Sequence, residues 1–143
     1  GWLGSGGLAA FSLRLAVTKM TMPFENAFFM GVLCNILVTL AVLLSLSAKD
    51  VAGRFLGAWV PVMFFVVAGF SHSIADMTYC ALGLFGKTVP AAAQAAAQMG
   101  VDLTALTWGR YFLGNMLPVT LGNLLGGLLV GAGAWCCHLR RAK

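Results

Sequence analysis

Charged positions along this chain mark the edges of long apolar stretches. Between Glu25 and Lys49 lie 23 residues without a charge, and between Arg110 and His138 lie 27 more. A membrane-spanning helix needs about 20 predominantly apolar residues, so each stretch is long enough for one crossing. The pattern predicts a span at 24–47, with Asn35 near mid-depth. It predicts another at 107–137, with Trp108 and Trp135 near its ends at interface height and a kink at Pro118. Residues 1–23 begin Gly-rich and then carry Arg14 and Lys19 among apolar residues. They read as the end of a preceding helix and a connector stopped at Pro23. Residues 87–106 read as a loop containing Pro90, in which AAAQAAAQ has the propensity for a short surface helix.

The stretch 55–86 is different, because it is too long. Its 32 residues would make a straight helix of about 48 Å, against a hydrocarbon core of about 30 Å. Its centre, VVAGFSHSIADM (66–77), is polar. The reading that reconciles length and polarity is one crossing broken near 69–73. A break frees backbone N–H and C=O groups, which hydrocarbon does not tolerate unless protein or water meets them. Gly69 allows the turn, and Ser71 and Ser73 offer hydroxyls to the loosened backbone. SIAD (73–76) fits a capping box in which Ser73 caps the second half-helix and Asp76 reaches back to it. The half-helix end carries roughly half a positive charge, and such ends face anionic groups in transporters. His72 stands at that end. It is either a pore-lining imidazole or one that holds the break by bonding to backbone; ionisable groups inside a membrane default to function. Asn35 and Asn123 complete a polar layer, bond between helices at roughly 0.6–2 kcal/mol, or do both. Gly122 with Gly126, and Gly127 with Gly131, are small-residue pairs suited to close helix packing.

Composition agrees. Of 143 residues, 60% are hydrophobic and 9% charged, where a soluble domain carries about 25% charged. The fold class expected is therefore all-α, made of polytopic membrane helices. The net charge of +5 sits beside the apolar runs, which points to lipid anchoring and topology rather than nucleic acid. Lys49 and Arg54 in the 48–54 link, and Arg140, Arg141 and Lys143 in the tail, place both segments on the cytoplasmic side, with 1–23 and 87–106 opposite. The four cysteines lack metal-ligand spacing and read as apolar filler. No nucleophile–base pair, metal set or ATP-binding motif is present, so neither an enzyme nor a cofactor is expected. The chain opens on Gly1 rather than Met, which suggests a piece of something longer.

VTKM (17–20), GVLCNILVTLAV (31–42), SAKDVAGR (47–54), GFSHSIADM (69–77) and LPVTLGNLLGG (117–127) together resemble the formate/nitrite transporter family of pentameric small-anion channels. The resemblance covers nearly the whole chain. It implies an aquaporin-like inverted-repeat channel fold, of which residues 1–143 form the second repeat, and a homopentamer in a plasma or inner membrane with a cytoplasmic C-terminus. It implies small anions or their neutral acids as substrates: formate, nitrite, hydrosulfide or short carboxylates. His72 then looks like the central pore histidine and Lys19 like the vestibule lysine that attracts anions. Asn35 and Asn123 look like lining residues, and Phe65 and Val38 like constriction residues. The family word GFEHSxAN differs at two places, with Ser71 for Glu and Asp76 for Asn, which bears on substrate more than on fold. Two rival readings are a neutral-solute channel of the aquaporin type, whose Asn-Pro-Ala words are absent, and a membrane protein that assembles through its Gly faces without transporting.

Overall fold

The computed structural model describes residues 6–139, and the side chains of residues 6–137. Among them every regular element is helical. The order is α1 (Gly6–Met20), α2 (Phe24–Ser47), α3 (Val51–Val67), α4 (Ser73–Gly86), α5 (Pro90–Gln98), a 3-10 turn (Leu103–Ala105) and α6 (Arg110–Cys137). Helices α2 and α6 are long and apolar enough to cross a membrane; α3 is a shorter apolar helix. Only 28% of the most apolar window of α2, and 28% of that of α6, is buried within the chain. A core helix of a water-soluble domain would be mostly covered, so these surfaces fit lipid or protein neighbours.

The chain forms two compact units. The first holds residues 6–27 and 73–118, so α1, α4 and α5 belong to it. Its core is Ala9, Ala10, Leu13, Ala16 and Met20 of α1 against Cys80 and Leu84 of α4, Ala92 and Ala96 of α5, and Leu106. Residues 1–23 were read as the end of a preceding helix and a connector; Gly6–Met20 form a helix with one face buried. The reason is side-chain size. Small residues at 9, 10 and 16 let a neighbouring helix approach closely. A Cβ on Gly83 of α4 would collide with Ala16 Cβ, and one on Gly86 would touch Leu13. The surface helix expected near 91–98 is α5, and its Ala92 and Ala96 are fully buried. Alanine carries too little hydrophobic contrast to announce a buried face in sequence.

The loop after α5 is closed by local bonds. Thr104 donates to Asp102 Oδ1 twice, from its hydroxyl at 2.6 Å and its backbone N–H at 2.9 Å. Lys87 Nζ donates to the Leu106 carbonyl at 2.6 Å. The Thr104 hydroxyl, then its backbone N–H, hold the Asp102 carboxyl below its usual value of 3.8. A depressed carboxylate stabilises the fold above its unfolded pKa and stops doing so as pH falls through the folded value. Asp102→Ala should therefore speed amide exchange at Leu103–Ala105 at neutral pH, whereas Asp102→Asn, which keeps an acceptor, should hold the turn. Equal exchange in all three proteins would remove this role.

The second unit holds residues 28–72 and 119–139. Helix α3 begins earlier than the expected 55, because Asp50 caps it: its Oδ1 accepts from the Gly53 N–H at 2.8 Å. The link shrinks accordingly, and Arg54 lies inside the helix. Helix α6 is π-wound over Arg110–Met116, where Leu117 N–H donates five residues back to Phe112 O. Pro118 supplies the reason, since it has no N–H for the carbonyl four residues earlier.

Candidate functional site

The polar centre of the long middle stretch is a helix ending followed by a helix start. Helix α3 stops at Val67 and α4 begins at Ser73. Gly69 has φ +72°, a left-handed conformation that L side chains resist. Its N–H bonds to Val66 O at 3.1 Å, and the Phe70 N–H bonds to Phe65 O at 3.1 Å. This pair is the Schellman motif, in which a left-handed residue satisfies two terminal carbonyls. The sequence placed the interruption at 69–73, and the non-helical residues are 68–72.

His72 is the last residue before α4 and is partly exposed. Its ring stacks on Phe65, with centroids 5.8 Å apart and planes 19° from parallel. The α3 ending turns the chain so that residues seven apart meet. Phe65 and His72, the candidates for a constriction and for a central histidine, are thus neighbours, a pairing that spacing alone did not reveal.

Asn123 of α6 is 7% exposed. Its Nδ2 donates to Gly31 O on α2 at 2.9 Å and to Ser71 O in the interruption at 3.2 Å. Asn35 Nδ2 donates to the Asn123 carbonyl at 2.6 Å. The two asparagines therefore join α2, α6 and residue 71 through backbone acceptors. Ser71 itself is fully buried. Around them α2 and α6 touch backbone to backbone. A Cβ on Gly122 would overlap Phe28 O, and one on Gly126 would overlap Val32 O. Gly127 faces Asn35 and Thr39, whereas Gly131 faces open space, so the second glycine pair packs at one end only. Val38 lines a groove of about 280 Å³ with Ala41, Val42, Ser45, Leu46, Ala58 and Val62, apart from the Phe65–His72 stack.

In the first unit Lys19 is 6% and Asp76 1% exposed. Lys19 Nζ lies 3.7 Å from Asp76 Oδ1, and Asn115 Nδ2 donates to Asp76 Oδ2 at 3.0 Å. Helix α4 starts at Ser73, and the Asp76 carboxylate of the expected capping box faces Lys19 and Asn115. Asn115 was not foreseen. The signal was available, since an amide three residues before Pro118 in an apolar span needs a partner.

The interrupted middle stretch, the largely uncovered apolar helices and the polar ties between α2, α6 and residue 71 fit a polytopic helical membrane protein. The profile described as formate/nitrite transporter matches residues 1–136. The "Probable formate transporter" of Methanothermobacter thermautotrophicus is 36% identical over 135 residues, covering 94% of this chain and 43% of that protein. "Formate channel FocA" of Escherichia coli (strain K12) is 34% identical over 131 residues, covering 90% of this chain and 46% of that protein. A solved "Pentameric formate channel with formate bound" superposes with a TM-score of 0.80 at 33% identity, covering 94% of this chain and 55% of that one. The chain belongs to the formate/nitrite transporter family, a family of integral membrane transporters. It spans about half the length of these relatives.

Proposed function

We propose that residues 1–143 form the second repeat of an anion-conducting membrane protein, which passes formate, nitrite, hydrosulfide or a short carboxylate across the bilayer, partly as the neutral acid. The observation that carries this is the interruption at 68–72, with a partly exposed His72 stacked on Phe65 immediately before the start of α4. Family membership and the likeness to a formate channel support it. The likeness to a pentamer supports assembly as a homopentamer. The basic residues of the 48–54 link support a cytoplasmic position for that segment and, by an even number of crossings, for the C-terminus; the tail itself lies outside the described residues.

The mechanism follows from solvation. A bare anion loses its water at an apolar slit at a cost it cannot recover from hydrocarbon walls. The N-terminal end of α4 offers a partial positive charge to the arriving anion. An imidazole next to that end is a hydrogen-bond donor, and a proton passed through it turns formate into formic acid, which crosses an apolar constriction cheaply. Phe65, stacked on His72, covers one face of the ring. Lys19, Asn35, Asn123 and Val38 are assigned to the same pathway.

His72→Phe in the native full-length protein, reconstituted in liposomes, tests this. Formate flux should fall by roughly tenfold and lose its pH dependence. That is short of the roughly 100-fold or more of a positioned acid–base group, because water remains a proton source. An unchanged pH profile removes His72 from the proton path. Glycerol flux equal to formate flux in the wild type would favour a neutral-solute channel instead.

A further inference from the structure

Three polar side chains from three helices are buried together in the first unit. Lys19 comes from α1, Asp76 from α4 and Asn115 from α6, and Asn115 is completely buried. Asn115 Nδ2 donates both to Asp76 Oδ2 at 3.0 Å and to the Lys19 carbonyl at 3.2 Å. The Lys19 carbonyl can only accept, so the amide is oriented with its nitrogen toward both oxygens. Asn115 thus pins one carboxylate oxygen, and the other is turned to the ammonium, 3.7 Å away.

Pairing changes what Lys19 can do at a distance. A single charge acts as 1/r, and its attraction in a low-dielectric interior reaches far. A cation with an anion held beside it has no net charge, and their fields largely cancel a few ångströms away. An incoming anion must also compete with Asp76 for the ammonium. An undissociated acid or other neutral solute meets neither penalty.

We infer that Asp76 is a specificity-determining residue which, as the counter-ion of Lys19, weakens that lysine's pull on anions and shifts preference toward neutral solutes. It is a positioning residue, because it acts through Lys19 and not by touching substrate. The inference rests on the transport reading above. Asp76→Asn is the natural probe, since it keeps the shape and an oxygen for Asn115 while removing the charge.

The test is uptake of formate, and of formamide as a neutral isostere, by liposomes holding the native full-length protein. Asp76→Asn should lower the half-saturating formate concentration by about threefold or more, the size of one screened charge contact, with formamide permeation unchanged. In a Lys19→Gln background Asp76→Asn should give no such gain, because the charge through which it acts is gone. Asp76→Glu should stay near wild type. If Asp76→Asn does not fold, Asp76→Thr, which also removes the charge, decides in its place: a lower half-saturating formate concentration with unchanged formamide permeation supports the inference, and a wild-type value overturns it. Wild-type uptake with no response to Asp76→Asn, or an equal gain in the double variant, also overturns the inference while leaving transport intact. Absence of formate uptake by the wild type overturns the transport reading itself.

Discussion

Gly122→Ala should cost most of the folded protein. The added methyl would overlap the Phe28 carbonyl oxygen and crowd the Val32 nitrogen, both of which are backbone atoms of α2. A side chain can rotate away from an intruder, but two helical backbones can only move apart. Overpacking in a dense core costs about 1–3 kcal/mol when side chains absorb it, so a backbone collision belongs at or above the upper end. Separation would also stretch the Asn35 and Asn123 bonds between the same helices. Gly131→Ala is the matched control, since nothing lies within 4 Å of a Cβ there. Thermal melting in detergent should show a loss of about 3 kcal/mol or more for Gly122→Ala and none for Gly131→Ala. Similar melting of the two variants would mean that α2 and α6 do not meet as described.

Asn123→Leu should be nearly as severe, and should act on the interruption. Leucine fills similar space but leaves Gly31 O and Ser71 O without the amide donor that each now has. A buried polar group that loses its partner costs about 1–3 kcal/mol, and Ser71 belongs to a segment that has no helical ladder to fall back on. Asn35→Leu removes one bond, to the Asn123 carbonyl, and should cost less, roughly 0.6–2 kcal/mol. The ranking Asn123 over Asn35 should appear both in melting and in formate flux. Amide exchange at Gly69–His72 should quicken in Asn123→Leu and hardly change in Asn35→Leu. The reverse ranking would show that the interruption is held by its own turn and not by α6.

The two asparagines show how far sequence reading reached. An amide in an apolar span had to have a partner, and interhelical bonding was foreseeable for both. The partners turned out to be backbone carbonyls, including one inside the interruption. Carbonyls are present at every position, so no pattern of side chains could single these out. Phe65 and His72 are a second case. Each was a candidate by itself, yet their stacking depends on where the α3 ending sends the chain. Lys19 and Asp76 lie 57 positions apart and carry opposite charge, but opposite charge alone predicts no contact. The contact needed α1 and α4 to pack at Ala16 and Gly83, a meeting of small residues whose hydrophobic signal is weak.

By itself the sequence determined the class of protein: uncharged runs of membrane length, an overlong middle stretch with a glycine and a histidine at its centre, and words in family order. These are one-dimensional signals, since hydrocarbon thickness sets the run length and the left-handed glycine sets the break. The tertiary structure alone decided which polar groups meet: Asn123 with Ser71, Phe65 with His72, and Lys19 with Asp76 and Asn115. The physical reason is that a buried polar group must find a partner, while which partner is in reach depends on the close approach of helix backbones, and that approach is permitted by residues too small to mark it in the sequence.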